Sequence, residues 1–264
     1  MGAKRVEAGR RRSGPNVVKG TRGGNARKMF YLLLLVLVVV GAGALTWVTQ
    51  RNKTSGIITV DPNAGIGVTT QGHVLGDSMA PVEIVEFADF ECPICAQFAT
   101  VTEPDIRERL IKTGQAKLRL YAFQINTGHL NSVAAALAAE CASDQGKFWE
   151  MHDKLFAGQN DWAAVTTRDD PKGAFQGYAK SLGLDMNAWN QCYDTRKHMG
   201  VVAANGAEAA RRGANSTPTF IIGDKMLSGL QPYDVLKKLV DSARAKTPAP
   251  AAAAAPAADS ATKR

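Results

Sequence analysis

A Cys-Pro-Ile-Cys run, Cys92 to Cys95, stands directly after an apolar segment and directly before a helical one, and nothing else in the 264-residue chain restricts the fold so much. Val82 to Phe87 reads as a strand, with Pro81 at its first position, where a missing N–H is tolerated. Phe98, Val101, Ile106, Leu110 and Ile111 then recur at near-helical spacing up to Gly114, and Pro104 predicts a kink or restart inside that helix. Leu118 to Phe123 is a second strand close behind, so this part of the chain predicts a βαβ unit with parallel strands.

With Pro93 at the first helical position, Cys92 becomes the N-cap. Its sulfur then faces unsatisfied backbone N–H groups and the positive end of the helix dipole, which favour thiolate over thiol. A cysteine so placed titrates between roughly 3.5 and 7 rather than near 8.5. Cys95 lies one turn further on the same face, within bonding reach of Cys92 and more shielded from solvent. A thiolate beside a second thiol is the apparatus of disulfide exchange. Cys-x-x-Cys is also half of a zinc site, but Cys141 and Cys192 form no second close pair and His73 and His129 stand isolated. The redox reading takes precedence, and an exported metal-binding module remains the alternative from another class.

Residues 1–28 carry nine Lys or Arg against Glu7 alone and account for the whole net charge of +8, the rest of the chain holding 23 charges of each sign. Basic residues confined to one tail, without interleaved aromatics or a reading motif, do not make a nucleic-acid surface. From Met29 to Val48 there is no charge for twenty residues, enough to span a hydrocarbon core of about 30 Å as a helix. Arg27 and Lys28 border its N-terminal end, so the positive-inside rule keeps the tail in the cytoplasm and places everything after Trp47 in the periplasm or at the cell surface. A cleaved signal peptide is the competing reading, because Ala42-Gly43-Ala44 resembles a cleavage site. Against it, the basic region is long for a leader and the apolar run continues past that site.

Residues 49–72 read as a flexible spacer between membrane and domain, 73–246 as the folded part, and the Ala/Pro-rich 247–264 as a disordered tail. Leu130 to about Gly213 is helical in pattern, with Asp185 as an N-cap and Gly213 as a C-cap. Thr219 to Leu227 reads as a hairpin turning at Gly223-Asp224, and Pro232 to Ala245 as a closing helix with Val235, Leu236, Leu239 and Val240 on one stripe. In an oxidising compartment two buried free thiols are disfavoured, which predicts a structural bond between Cys141 and Cys192.

Three separated stretches carry a family resemblance: Gly76-Asp77 through Glu86-Phe87 to Cys92-Pro93-Ile94-Cys95, then Glu140-Cys141-Ala142 with Gly146-Lys147-Phe148-Trp149, then Ser216-Thr217-Pro218-Thr219-Phe220. Over about 73–243 the chain resembles the thioredoxin-like proteins related to the periplasmic oxidant DsbA. The resemblance implies an α/β thioredoxin fold with a helical subdomain inserted at about 130–213, in addition to the N-terminal transmembrane helix. It implies a cis Thr217–Pro218 bond opposite Cys92, with Thr217 presenting backbone groups to an extended substrate. Glu86 takes the place of a buried acid that moves the proton of Cys95, with Arg119 or Lys117 as its possible ion partners; a solvated strand-end carboxylate is the plainer reading. The implied activity is thiol-disulfide exchange that introduces disulfides into exported, cysteine-bearing proteins, Cys92 forming the mixed disulfide and Cys95 resolving it. No cofactor is implied beyond the redox-active disulfide, and a quinone-linked membrane protein of DsbB or VKOR type is the implied reoxidant. Pro93-Ile94 departs from the DsbA dipeptide in lacking a His. That leaves oxidising strength open between about −270 and −120 mV, and a reductase or isomerase open as the alternative.

Overall fold

The computed structural model describes residues 24–51, 58–61, 63–125, 128–163 and 171–246, and the chain divides into two units between Thr54 and Ser55. The basic tail up to residue 23 and the Ala/Pro tail from 247 lie outside the described residues. In the first unit, α1 (Gly24–Arg51) contains a 20-residue stretch, Arg27–Thr46, long and apolar enough to cross a membrane. Met29 to Val40 are all exposed along it, a surface of the kind that a hydrocarbon phase solvates and water does not.

The second unit is built on a five-stranded sheet: β1 (His73–Leu75), β2 (Glu83–Ala88), β3 (Lys117–Ala122), β4 (Thr219–Ile222) and β5 (Lys225–Ser228), in the order β1-β3-β2-β4-β5. The predicted parallel pair is β2 and β3, with Ile84 opposite Leu118 and Glu86 opposite Leu120; the other pairings are antiparallel. Gly223, at φ 58°, opens the two-residue turn from β4 to β5. β1 has too few residues and too little burial to show in the sequence pattern.

Between β2 and β3 runs α2 (Pro93–Gln97), a wide-turned segment Phe98–Thr102, α3 (Glu103–Ile106) and a second wide segment Arg107–Ile111. The Glu103 N–H donates to Phe98 O, five residues back, so the hydrogen-bond ladder is re-set where Pro104 cannot donate. Gly114, at φ 68°, ends this helix. The pleat sorts the core into two faces. Val82, Ile84, Leu118, Phe220 and Ile222 pack under Phe98, Ile106 and Leu110 and under α10 (Tyr233–Lys246), while Val85, Phe87 and Tyr121 face the other way. Of the stripe predicted for α10, Leu236 and Val240 are buried and Leu239 partly so, but Val235 is exposed.

The helical stretch comprises α4 (Ser132–Ser143), α5 (Phe148–Ala157), α6 (Gln159–Trp162), α7 (Lys172–Ser181), α8 (Met186–Asp194) and α9 (Met199–Arg211). All of Ser132 to Ala142 is buried, because the small Ala side chains let neighbours close in on every side of α4. Asp185 caps α8 as predicted, its Oδ1 accepting from the N–H groups of Asn187 at 2.8 Å and Ala188 at 3.2 Å. Ala209, near the end of α9, and Ala214 pack with Val85, Phe87 and Tyr121 on the sheet, while Val202, earlier in α9, packs in the helical core, so α9 bridges the two.

The stretch read as spacer is not free over its whole length. Ile58 and Val60 pack against the helical core. A Cβ on Gly200 would stand 2.8 Å from Ala64 O, and one on Gly65 3.1 Å from the Ala203 Cβ, a backbone approach that only glycine permits. From Ile58 onward the chain therefore belongs to the folded unit.

Candidate active site

Cys92 is the N-cap of α2, extended at φ −73° and ψ 120°, with Pro93 in the first turn. Its N–H donates to Asp89 O at 3.0 Å, closing the turn that leads out of β2. Gln159 at the start of α6 steadies the turn from the inserted subdomain, its side-chain amide donating to Phe90 O at 2.7 Å and Cys92 O at 3.1 Å. Both thiols are unbonded and buried, Cys92 6 % exposed and Cys95 not at all. Ile94, between them, is 42 % exposed and supplies an apolar lip to the site.

The two sulfurs titrate in opposite directions. A hydrogen bond from the Cys95 thiol holds Cys92 down at about 5, burial opposes this, and the Thr217 hydroxyl and the N–H groups of Cys95 and Ile94 add to it. Neither of those N–H groups makes a short cap bond to the sulfur, so theirs is the smaller, dipolar share. Burial pushes Cys95 well above the usual thiol range, and the bond to Cys92, the Cys92 charge and the Glu86 charge push the same way.

The Thr217–Pro218 bond is cis, and Thr217 O lies 3.5 Å from the Cys92 Sγ. That carbonyl receives the proton of a neutral Cys92 thiol, while the hydroxyl of the same residue favours the thiolate. Pro218 O accepts from the Gly229 N–H at 2.8 Å, which fixes the loop against β5.

Glu86 is 1 % exposed, so the solvated strand-end reading is excluded. Its Oε2 has no hydrogen-bond partner among the described residues, and burial, then the Glu103 charge, push its pKa well up against the pull of Arg107. The ion partners considered for it go elsewhere. Lys117 and Arg119 share a face with Glu83, which Arg119 holds at 2.9 Å and Lys117 at 3.9 Å, because the register with β2 turns them away from Glu86. Arg107, in contact with Glu103 at 2.6 Å, is the cation on the Glu86 side.

Cys141 and Cys192 are joined to each other, Cα–Cα 5.8 Å, linking α4 to α8, and so are not ligands alongside Cys92 and Cys95. The histidines that the sequence leaves isolated are paired: His73 with Glu140 at 3.0 Å, His129 with Asp89 at 2.8 Å. His129 and Gln159 are site neighbours that no sequence spacing marks. A cleft lined by Pro81, Glu83, Arg212, Asp224 and Lys246 among others does not include Cys92.

A buried, low-titrating cysteine at a helix N-cap, a higher-titrating one a turn further on, and a cis-proline loop beside them define a thioredoxin-fold thiol-disulfide oxidoreductase. Residues 68–242 match the family model described as thioredoxin. The chain belongs to this family, among its DsbA-like members. BdbD from Bacillus subtilis, in its oxidised form, is 26 % identical, with a TM-score of 0.58 over 73 % of this chain and 98 % of that one. The alpha-DsbA1 of Wolbachia pipientis shares the fold at a TM-score of 0.59 and 22 % identity, over 67 % of this chain and 93 % of that one. Among curated sequences, the Na(+)/H(+) antiporter NhaA 3 of Salinispora tropica is 31 % identical over 220 residues, which are 76 % of this chain and 30 % of the antiporter. The chain thus matches only about a third of the length of these antiporter relatives.

Proposed function

We propose that this chain is a membrane-anchored dithiol oxidase that hands a Cys92–Cys95 disulfide to exported proteins as they fold. A substrate thiolate attacks the Cys92 sulfur, the Cys92–Cys95 bond breaks, and the electron pair leaves on Cys95, which takes a proton. The second substrate thiolate then attacks the substrate sulfur of the mixed disulfide and displaces Cys92 as a thiolate. The substrate is oxidised by two electrons and the dithiol is reduced by two. Thr217 and Pro218 offer the backbone edge on which an extended substrate lies, Pro93 and Ile94 shape the helix start beneath it, and Glu86 exchanges the proton of Cys95. Reoxidation falls to a quinone-linked membrane protein of DsbB or VKOR type. The apolar α1 behind a basic tail supports an anchor with the catalytic unit outside the cytoplasm.

The observation that carries the direction of transfer is Cys92 held down at about 5. At pH 7 such a thiolate stabilises the reduced form over one with an ordinary thiol by on the order of 2–3 kcal/mol, which makes the disulfide more oxidising by about 60 mV. The sign is that of a lowered pKa: the stabilisation is complete above the ordinary thiol pKa and is lost as pH falls through 5. Equilibration of the full chain with glutathione at pH 7 is expected to give a potential less negative than about −220 mV; a value at or below the about −270 mV of thioredoxin would contradict the oxidase reading and favour a reductase. The same preparation reports the anchor, since full-length chain is expected in membrane fractions and a soluble, shortened chain means cleavage near Ala44.

A further inference from the structure

His129 lies between β3 and α4, and three hydrogen bonds bolt this part of the chain to the turn that carries Cys92. The His129 ring Nδ1 is 2.8 Å from Asp89 Oδ2, the Ile125 N–H donates to the same oxygen at 3.0 Å, and the Asn131 N–H donates to Glu91 Oε2 at 2.6 Å. Asp89 has no exposed surface; its Oδ1 accepts from the Glu91 N–H at 2.9 Å and its carbonyl accepts from the Cys92 N–H at 3.0 Å. The His129 side chain is 22 % exposed, so the ring can exchange protons with water.

This arrangement raises an electrostatic problem for the reacting sulfur. Asp89 and Glu91 are both buried and stand three residues and one residue before Cys92. Two carboxylates so close disfavour a third negative charge on Cys92, and Ile94 between the cysteines offers no cation to offset them. The imidazole of His129 is the titratable base bonded to this acidic turn. The charged groups that act on its ring are Asp89, Glu91 and Cys92, and Gln124 from the end of β3 holds its carbonyl at 2.6 Å.

We propose that His129, oriented by Asp89, is the cationic partner of the Cys92 thiolate, a positioning residue that offsets the two acids of the turn when Cys92 loses its proton. This deepens the reading of Cys92 as the attacking sulfur and rests on it. The Asp89 bond, foremost, raises the ring's pKa against the effect of burial, with the charges of Asp89, Glu91 and Cys92 adding to it. A clamp alone would need only a neutral ring. A charge partner must in addition be reciprocal: whatever the imidazolium does to the Cys92 titration, the thiolate does to that of His129.

The test uses that reciprocity on the full chain with ring-labelled histidine, His129 being assigned by its loss in His129→Gln. The NMR midpoint of His129 is expected to be higher in the reduced protein than in the Cys92–Cys95 disulfide form by about half to one pH unit, and His129→Gln is expected to move the Cys92 thiolate midpoint upward by a similar amount. A His129 that titrates alike in both redox states overturns the proposal. So does a Cys92 midpoint that stays low and unmoved in the variant, which leaves Cys92 as the attacking sulfur. A wild-type Cys92 midpoint near 9 sinks the underlying reading instead. If His129→Gln fails to fold, His129 is assigned instead by elimination from variants of His73, His152 and His198, and the redox dependence of the wild-type resonance decides alone.

Discussion

Cys95→Ser is expected to accumulate as a covalent complex with its substrates, and Cys92→Ser to lose exchange by at least about a thousandfold. The difference follows from the two titrations. In the Cys95 variant the nucleophile survives: Cys92 still attacks a substrate disulfide, the reverse of the last transfer step, and the mixed disulfide then lacks the Cys95 thiol that would carry the exchange on in that direction. In the Cys92 variant the remaining sulfur is fully buried and titrates well above the usual range, so no accessible thiolate is left. Non-reducing gels of cells expressing each variant read the outcome, as high-mass bands that collapse on reduction for Cys95→Ser alone. Bands of equal strength from both variants would mean that either sulfur can attack, which the geometry forbids. Glu86→Gln tests the proton step in the same assay. It is expected to slow the first attack in the oxidising direction by about tenfold or more, because the departing Cys95 sulfur then has no buried carboxyl to take its proton from, and to leave the displacement of Cys92 by the second substrate thiolate unchanged.

Removing the second sulfur pair should cost stability rather than chemistry. Cys141 and Cys192 close a loop of sequence separation 51, for which the chain-entropy account gives about 4 kcal/mol. The bond ties α8 to α4, the helix buried along almost its whole length, so the inserted subdomain is held at its centre. For a domain of this size the double Cys→Ala variant is expected to melt about 10 °C lower while keeping most of its exchange activity per folded molecule. Scanning calorimetry together with a turnover assay below the lowered transition checks both halves. Lost turnover with an unmoved transition would make the pair part of the redox path instead.

What could be read in the sequence was what local chemistry dictates. The strand before Cys92, Pro93 in the first turn, the re-set at Pro104, the Asp185 cap and the Gly223 turn are each decided by a few adjacent residues, and each stands where the pattern put it. The cis Thr217–Pro218 bond came through the family resemblance, since no local rule distinguishes it from a plain strand-edge proline. The misreadings are all non-local. Helical periodicity over 130–213 cannot tell that the end of α9 also packs on the sheet. Thr- and Gly-rich composition hides that Ile58, Val60 and Gly65 close on the domain. Arg119 is a fair partner for Glu86 until the parallel register sets it beside Glu83. His129 and Asp89 are 40 residues apart, and only the fold shows that they meet beside Cys92.

The central claim is a stabilised Cys92 thiolate next to a protonated Cys95, and ultraviolet thiolate absorbance of the reduced full chain against pH measures it directly. One thiolate is expected to appear with a midpoint near 5 and to be absent in Cys92→Ser, while the second thiol stays protonated through neutral pH. A Cys92 midpoint at or above the about 8.5 of a free thiol would remove the physical basis of the oxidase reading.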